Sequence, residues 1–347
     1  MSRLYLDWNA TAPLRPEARA AAIGALDVLG NPSSVHAEGR AARALVERAR
    51  AQVLEAIGGE GYDLVFTSGA TEAAGLACAG RGLVGSGIEH DAVRAWVEEG
   101  LPVDAGGRVA VAEPAKTVLQ LANSETGVVQ DLPAGLAVSD MTQAFGKLPV
   151  RLSETGVEMA LVSAHKLGGP KGIGALLLKQ GRDVVPRIPG GGQEMGRRSG
   201  TENLPGIAGF GAAAEAARRD VDAGLWDETA EFRNILENAL EALSDQIILV
   251  GKGARRLPNT LCLAAPGWKG ETQVMAMDLA GYAVSAGSAC SSGKLRASKV
   301  LQAMGFGEEI AAGALRVSLG PGIGRDDVLR FAEAWSGAWR RHRARAA

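Results

Sequence analysis

The sequence predicts an α/β protein, with a largely parallel sheet over the first two-thirds of the chain and a smaller α+β unit after it. Three observations carry this. Short apolar runs, such as Asp63–Thr67, Met159–Ser163 and Ile173–Leu178, alternate with stretches of helical periodicity. The 47 glycines and many alanines suit tight strand-to-helix turns. After a strongly amphipathic segment at Glu228–Leu243, the pattern changes to short strand-like runs at Ile247–Val250, Asn259–Leu263 and Tyr282–Ser285.

The elements follow in order. Arg40–Ile57 reads as a helix, because Leu45, Val46, Ala49, Val53, Leu54 and Ile57 recur at helical spacing and Gly58-Gly59 ends the run. The strand Asp63–Thr67 is bounded by Ser68-Gly69, and Ala70–Ala74 opens a second helix. Val118–Ala122 and Met159–Ser163 read as strands, and Ile173–Leu178 is reached through a Gly-Gly-Pro-Lys-Gly turn. The helix at Glu228–Leu243 places Phe232, Ile235, Leu236, Ala239, Leu240 and Leu243 on one face. Val328–Trp339 reads as a closing helix, followed by a basic tail, Arg340–Arg345, expected to be solvated. There is no internal repeat and no long linker.

Composition excludes several function classes. With 46% apolar and 22% charged residues, the 347-residue chain is not a disordered one. Its 37 Lys+Arg balance 39 Asp+Glu, which leaves no bulk electrostatic case for nucleic acid or an anionic membrane as partner. No apolar stretch approaches the roughly 20 residues needed to cross a bilayer, and an acid stands at Asp7 where a signal peptide needs its apolar core. A cytoplasmic protein is expected. Three cysteines, Cys78, Cys262 and Cys290, have no metal-clip spacing, and the four histidines (His36, His90, His165, His342) form no HExxH pair. Neither a disulfide framework nor a metal site is expected.

Three segments carry chemistry. In Val162–Gly174, a lysine at the end of a buried strand follows a histidine and precedes a glycine turn; a buried amine has a lowered pKa and forms Schiff bases with aldehydes. Read alone, Lys166 is better taken as a strand-end lysine that snorkels to water, and Lys171 is a rival for any functional role. Thr67–Glu72 joins a strand end to a helix start, where unpaired backbone N–H groups and hydroxyls make a phosphate seat or an ordinary cap. In Ser139–Lys147, Asp140 stands at a strand end, placed to pair with a protonated ring nitrogen, and Gln143 is within reach of a ring hydroxyl; alone, the stretch reads as a capped turn.

Taken together, the chain resembles the pyridoxal-phosphate enzymes of the class V aminotransferase family, and within it the cysteine desulfurases. The resemblance runs through Tyr5–Thr11, Gly30–His36, Thr67–Glu72, Glu89–Val93, Asn123–Gly127, Asp140–Lys147, Ser163–Gly174, Gly190–Asn203, Ala286–Ser292 and Leu315–Gly320, all in the family's order. It implies a fold type I transferase: a large domain, 13–240, built on a mostly parallel seven-stranded sheet, and a smaller α+β domain from 1–12 and 241–347. Lys166 would carry pyridoxal 5'-phosphate covalently. Ala70, Thr71, Ser163 and His165 would bind its phosphate, Asp140 its ring nitrogen and Gln143 its ring oxygen. His90 would stack on the ring and help move protons. Thr201 would reach the phosphate of a neighbouring subunit, which implies a homodimer. Arg316 would clamp the substrate carboxylate, with Asn123 a further substrate contact; a structural ion pair is the other reading of Arg316.

Cys290 decides the expected reaction. Ala286–Arg296 is small, polar and glycine-bearing, and Lys294 and Arg296 favour a thiolate. Composition leaves nucleophile and bystander both open for this cysteine, while Cys78 and Cys262 sit in apolar runs and read as core. The resemblance implies that Cys290 is the nucleophile of a cysteine desulfurase. Such an enzyme converts L-cysteine to L-alanine and passes the sulfur, as a persulfide, to an acceptor protein for iron–sulfur cluster or thiocofactor biosynthesis. Selenocysteine lyase uses the same constellation, and a scaffold that keeps the fold while binding sulfur-transfer partners is the non-catalytic alternative. The chain departs from the family by shorter segments between Glu72 and His90 and between Gln130 and Asp140, by a short C-terminus, and by Ser124 where relatives carry a second asparagine.

Overall fold

The computed structural model describes residues 3–244, 246–287 and 297–346. The chain begins with β1 (Leu4–Tyr5), α1 (Pro16–Leu26), α2 (Ala37–Ile57), β2 (Tyr62–Thr67) and α3 (Ala70–Cys78). It continues through β3 (Val84–Ser86), α4 (Asp91–Arg94), β4 (Glu98–Leu101), β5 (Ser139–Asp140), α5 (Leu152–Thr155), β6 (Met159–Ser163), β7 (Gly174–Lys179) and α6 (Leu204–Asp222). Helix α2 ends as its sequence requires, with Gly58 in the left-handed region at φ 64°.

Strands β2, β7, β6 and β5 lie side by side in that order. Parallel bridges Val118↔Val138 and Val84↔Thr117 carry the sheet on through residues 117–121 to the parallel pair β3–β4. Seven extended segments result, of which β7 alone runs against its neighbours. The expected strand at Val118–Ala122 is present as an extended segment rather than a continuous ladder. Side chains take its backbone groups: the Glu89 carboxylate accepts from Gln120 N at 3.1 Å and Ser139 Oγ donates to Leu119 O at 2.8 Å.

The sheet is buried on both faces, so its strands read as unbroken apolar runs. Leu64, Phe66, Ala160, Val162, Ala175 and Leu177 face α2 and α6, while Val65, Leu161, Leu176 and Leu178 face Ala73, Ala77 and Cys78 of α3. Helix α6 lies against α2 at close range; a Cβ on Gly211 would meet Ala49 Cα at 2.8 Å.

The remaining chain forms α7 (Leu225–Leu243), β8 (Ile248–Val250), β9 (Thr260–Ala264), α8 (Gly270–Leu279), β10 (Tyr282–Ala283), β11 (Ser285–Ala286), α9 (Lys299–Ala303), α10 (Glu308–Ala312), β12 (Ala314–Ser318) and α11 (Arg325–Ala346). Here the sheet is antiparallel, in the order β11-β12-β9-β8. Its core joins Leu236 and Leu240 of α7 to Leu261, Leu263, Leu315 and Val317 of the sheet and to Phe331, Trp335 and Trp339 of α11. Leu6, from the start of the chain, is buried in this second core. The arginines of the basic tail are exposed, as expected, but Arg340–Arg345 continues α11 past its expected end at Trp339. His342 stacks on Trp268 and Trp339, and Arg343 lies over the Trp339 ring at 5.9 Å, so aromatic contacts extend the helix past its apolar stripe. Among the described residues no helix is long and apolar enough to cross a membrane.

Phe210 is fully buried and meets Phe66 edge-on across the interface between α6 and the sheet, with centroids 6.4 Å apart. Phe210→Ala is expected to lower unfolding free energy by about 3–5 kcal/mol, measured by equilibrium denaturation.

Candidate active site

Parallel strands end at one edge of a sheet, and there their loops and helix starts converge. At that edge lies a cavity of about 770 Å³. Its walls come from the turn between β2 and α3, the loop before α4, the ends of β5 and β6, the segment Asp7–Thr11, and Ser285 and Arg316 from the antiparallel sheet.

Ala70 and Thr71 open α3, where the first helical N–H groups have no partner within the helix. Thr67 Oγ1 donates to Gly69 O at 2.9 Å and Ser68 N donates to the Glu72 carboxylate at 2.7 Å, which fixes the turn that presents them. Ser163, His165, Lys171 and Gly172 complete this wall. His165 is half-buried, and burial together with the charges of Lys166, Lys171 and Lys147 pushes its pKa down to about 4. At neutral pH it is an uncharged ring whose Nδ1 lies 3.3 Å from Thr11 Oγ1.

Lys166 ends the short turn Ala164–Lys166 after β6. Its Nζ donates to the main-chain carbonyls of Asn9 at 2.6 Å and Ala10 at 2.9 Å, so the amine is aimed at the cavity instead of bulk water. His90 caps α4, its Nδ1 accepting from Ala92 N at 3.1 Å; in the neutral ring the proton is therefore on Nε2. Helix cap and cavity wall are thus served by one side chain. Asp140, at the end of β5, accepts from Thr142 N at 2.9 Å. Beneath it the buried Glu89 is pushed up to about 8, by burial first and then by the Asp140 charge.

Gln143 donates from Nε2 to Asn9 O at 3.0 Å and accepts at Oε1 from Lys147 Nζ at 2.8 Å. Lys147 is 2% exposed, and its Nζ also donates to Asn9 Oδ1 at 2.9 Å. Arg316 is buried in β12. It donates to Ser124 O at 3.0 Å and to Asp7 Oδ1 at 2.8 Å, and its buried Nε has no hydrogen-bond partner among the described residues. The second oxygen of Asp7 accepts from Ser285 Oγ at 2.8 Å.

A family model, Aminotransferase class-V, matches residues 4–331. The chain belongs to the class V aminotransferase family. A cysteine desulfurase of Cereibacter sphaeroides is 41% identical over 92% of this chain and 91% of its own length. A NifS-like protein from Rickettsia africae superposes with a TM-score of 0.86 at 30% identity, covering 97% of this chain and 99% of its own. A solved structure of SspA in complex with cysteine superposes with a TM-score of 0.73 at 27% identity, over 92% of this chain and 99% of that one. The class V fold agrees with the expected mostly parallel seven-stranded sheet and smaller α+β part.

Against this family frame the expected site residues separate. Ala70, Thr71, His90, Asp140, Gln143, Ser163, His165, Lys166 and Arg316 all line the one cavity. Asn123 does not. Its Oδ1 accepts from Glu125 N, Thr126 N and Thr126 Oγ1, and its Nδ2 donates to Ile88 O, so the amide is consumed in folding its own turn. Ser124 lines the cavity in its place and offers Arg316 a main-chain carbonyl, a contact that does not depend on which side chain stands there. Thr201 is exposed and lies outside the cavity, in a neighbouring hollow that shares Ser68 and Gly172 with it. Cys290 lies outside the described residues. Cys78 and Cys262 are buried thiols, the first pushed up to about 12 and the second raised well above its usual range, both chiefly by burial.

Four residues of the site went unassigned in the sequence: Asp7, Asn9, Glu89 and Lys147. Each lies in a family motif, and Lys147 stands four residues after Gln143 on a helical turn, a spacing that puts the two side chains together.

Glu89 gives a pH test. In the unfolded chain its proton is lost near pH 4.5, but in the folded protein only near 8. Below the lower value both states hold the proton; between the two, only the folded state does, so its contribution to stability falls as pH rises through that window. Glu89→Gln removes this fall. Denaturation midpoints of the two proteins, followed from about pH 5 to about pH 8, should diverge, with the variant gaining relative stability toward the alkaline end.

Proposed function

We propose that this protein is a cysteine desulfurase that uses pyridoxal 5'-phosphate. The observation that carries the reading is the convergence of Lys166, the start of α3, Asp140, His90 and Arg316 on one cavity. The donor set fits the coenzyme: a helix N-terminus with hydroxyls for its phosphate, an amine for its aldehyde and a carboxylate for its ring nitrogen. Bound there, the coenzyme supplies an electron sink that labilises bonds at the α and β carbons of an amino acid. The SspA structure in complex with cysteine supports the substrate.

The chain's own residues do the rest. Ala70, Thr71, Ser163 and neutral His165 hold the phosphate, and Lys166 gives the covalent attachment. Asp140 keeps a proton on the ring nitrogen, and Gln143 donates to the ring oxygen. Arg316, whose guanidinium lines the cavity, binds the substrate carboxylate. Lys166 Nζ takes the α-proton, with His90 assisting transfer at the ring face. The Cys290 thiolate takes the sulfur: an S–S bond forms as the C–S bond breaks, and the carbon skeleton leaves as alanine. The persulfide then passes to an acceptor protein, in iron–sulfur cluster or thiocofactor synthesis. Thr201, outside its own cavity, serves the phosphate of a second subunit in a homodimer. The large domain, expected over 13–240, ends before α7, which packs in the second core; the small domain is the N-terminal segment with the chain from α7 onward, in a cytoplasmic protein.

Alanine release from L-cysteine, with and without a thiol reductant, tests this reading. The native protein carries a visible absorption band and forms alanine, faster with reductant. Lys166→Ala loses both band and activity, whereas Cys290→Ala keeps the band and loses activity; equal alanine formation by native and Cys290→Ala proteins overturns the reading. Arg316→Lys keeps a charge but loses the guanidinium fork, and should raise the KM for cysteine by about tenfold with the band intact.

A further inference from the structure

Lys147 has no role in the mechanism above, yet it is among the largest fully buried side chains of the protein. A lysine is seldom buried to this degree without partners. Its two acceptors are Asn9 Oδ1 at 2.9 Å and Gln143 Oε1 at 2.8 Å. Both are neutral amide oxygens, so no carboxylate balances the amine.

The arrangement determines which way round the Gln143 amide sits. The partner on one side, Lys147 Nζ, is a donor; the partner on the other, Asn9 O, is purely an acceptor. Only one flip of the amide satisfies both. Lys147 does not line the cavity, whereas Gln143 does, so the carbonyl end of the amide is turned into the protein and the Nε2 end remains with its second N–H.

We propose that Lys147 is a positioning residue, which makes Gln143 an obligate hydrogen-bond donor to an acceptor oxygen of the ligand in the cavity. This rests on the coenzyme reading given above. Without Lys147, Gln143 Oε1 loses its partner in a buried place, and the amide, held by Asn9 O alone, is no longer fixed at both ends. Its donation to an oxygen ligand in the cavity is weakened accordingly. The same bond steadies Asn9, whose main-chain O holds both Gln143 and Lys166.

Burial, and next the charges of Lys166 and Arg316, hold the Lys147 amine well below the usual lysine range.

The test compares Lys147→Met, close in length but without donors, Lys147→Gln, uncharged with donors retained, and Gln143→Met. Each is purified with coenzyme, checked by circular dichroism, and titrated with pH at the visible band; coenzyme affinity is measured separately. Lys147→Met should raise the band's midpoint by about one unit and weaken coenzyme binding about tenfold, the scale of one hydrogen bond to a charged oxygen. Gln143→Met should match it, and the double variant should add nothing further. Lys147→Gln should keep the native midpoint. A folded Lys147→Met with native midpoint and affinity, while Gln143→Met shifts, overturns the proposal. If Lys147→Met does not fold, a Lys147→Gln midpoint shifted as far as that of Gln143→Met overturns it instead. A native protein with no band at all fails the coenzyme reading itself, and the proposal with it.

Discussion

The site depends on the way Asn9 is held. Its side chain is fully buried, with Nδ2 donating to Ser124 O and Thr260 Oγ1 and Oδ1 accepting from Lys147 and Asn259. Its main-chain O accepts from Gln143 and Lys166, and its N donates to Ser318 Oγ. One residue thereby ties the parallel sheet, the antiparallel sheet and the turn bearing Lys166. The flanking chain does the same: Ser318 N donates to Leu6 O, and Ala12 N to His165 O. The N-terminal segment acts as a clasp between two cores, and the cavity is the space it spans.

Charge around that space is uneven. Lys166, Lys171 and Arg316 face it, with Lys147 behind, while the acids are Asp7, engaged by Arg316, and Asp140. Glu89, close enough to feel the Asp140 charge, keeps its proton at neutral pH. A cavity of this kind attracts an anion, and the N-terminus of α3 adds a field favourable to one. Neutral His165 contributes hydrogen bonds without adding a further cation.

Much of this was legible before the structure. The strands Met159–Ser163 and Gly174–Lys179 declare themselves as apolar runs because both of their faces are buried, and α2 by its periodicity. Helix α6 was not legible, although it is 19 residues long and central. It carries Gly206, Gly209 and Gly211, residues that ordinarily weaken a helix, yet at Gly211 the missing side chain is what lets two helices touch. The cavity residues on strand ends were found from their motifs. The inward turn of the Asn123 amide was not legible, because a motif shows that a residue is there, not which way its amide faces. Asn9 and Lys147 were missed because what defines them is contact between segments 138 residues apart.

Lys166 sits in the connection between β6 and β7, neighbours that run in opposite directions. A parallel pair would have needed a crossover helix there; an antiparallel pair returns directly, and both ends of the link are stapled into one ladder from Ser163↔Gly174 onward. The amine therefore hangs from a short bridge with rigid abutments. Displacement of the amine within the cavity requires only rotation about the side chain's own torsions, with the backbone as a fixed pivot.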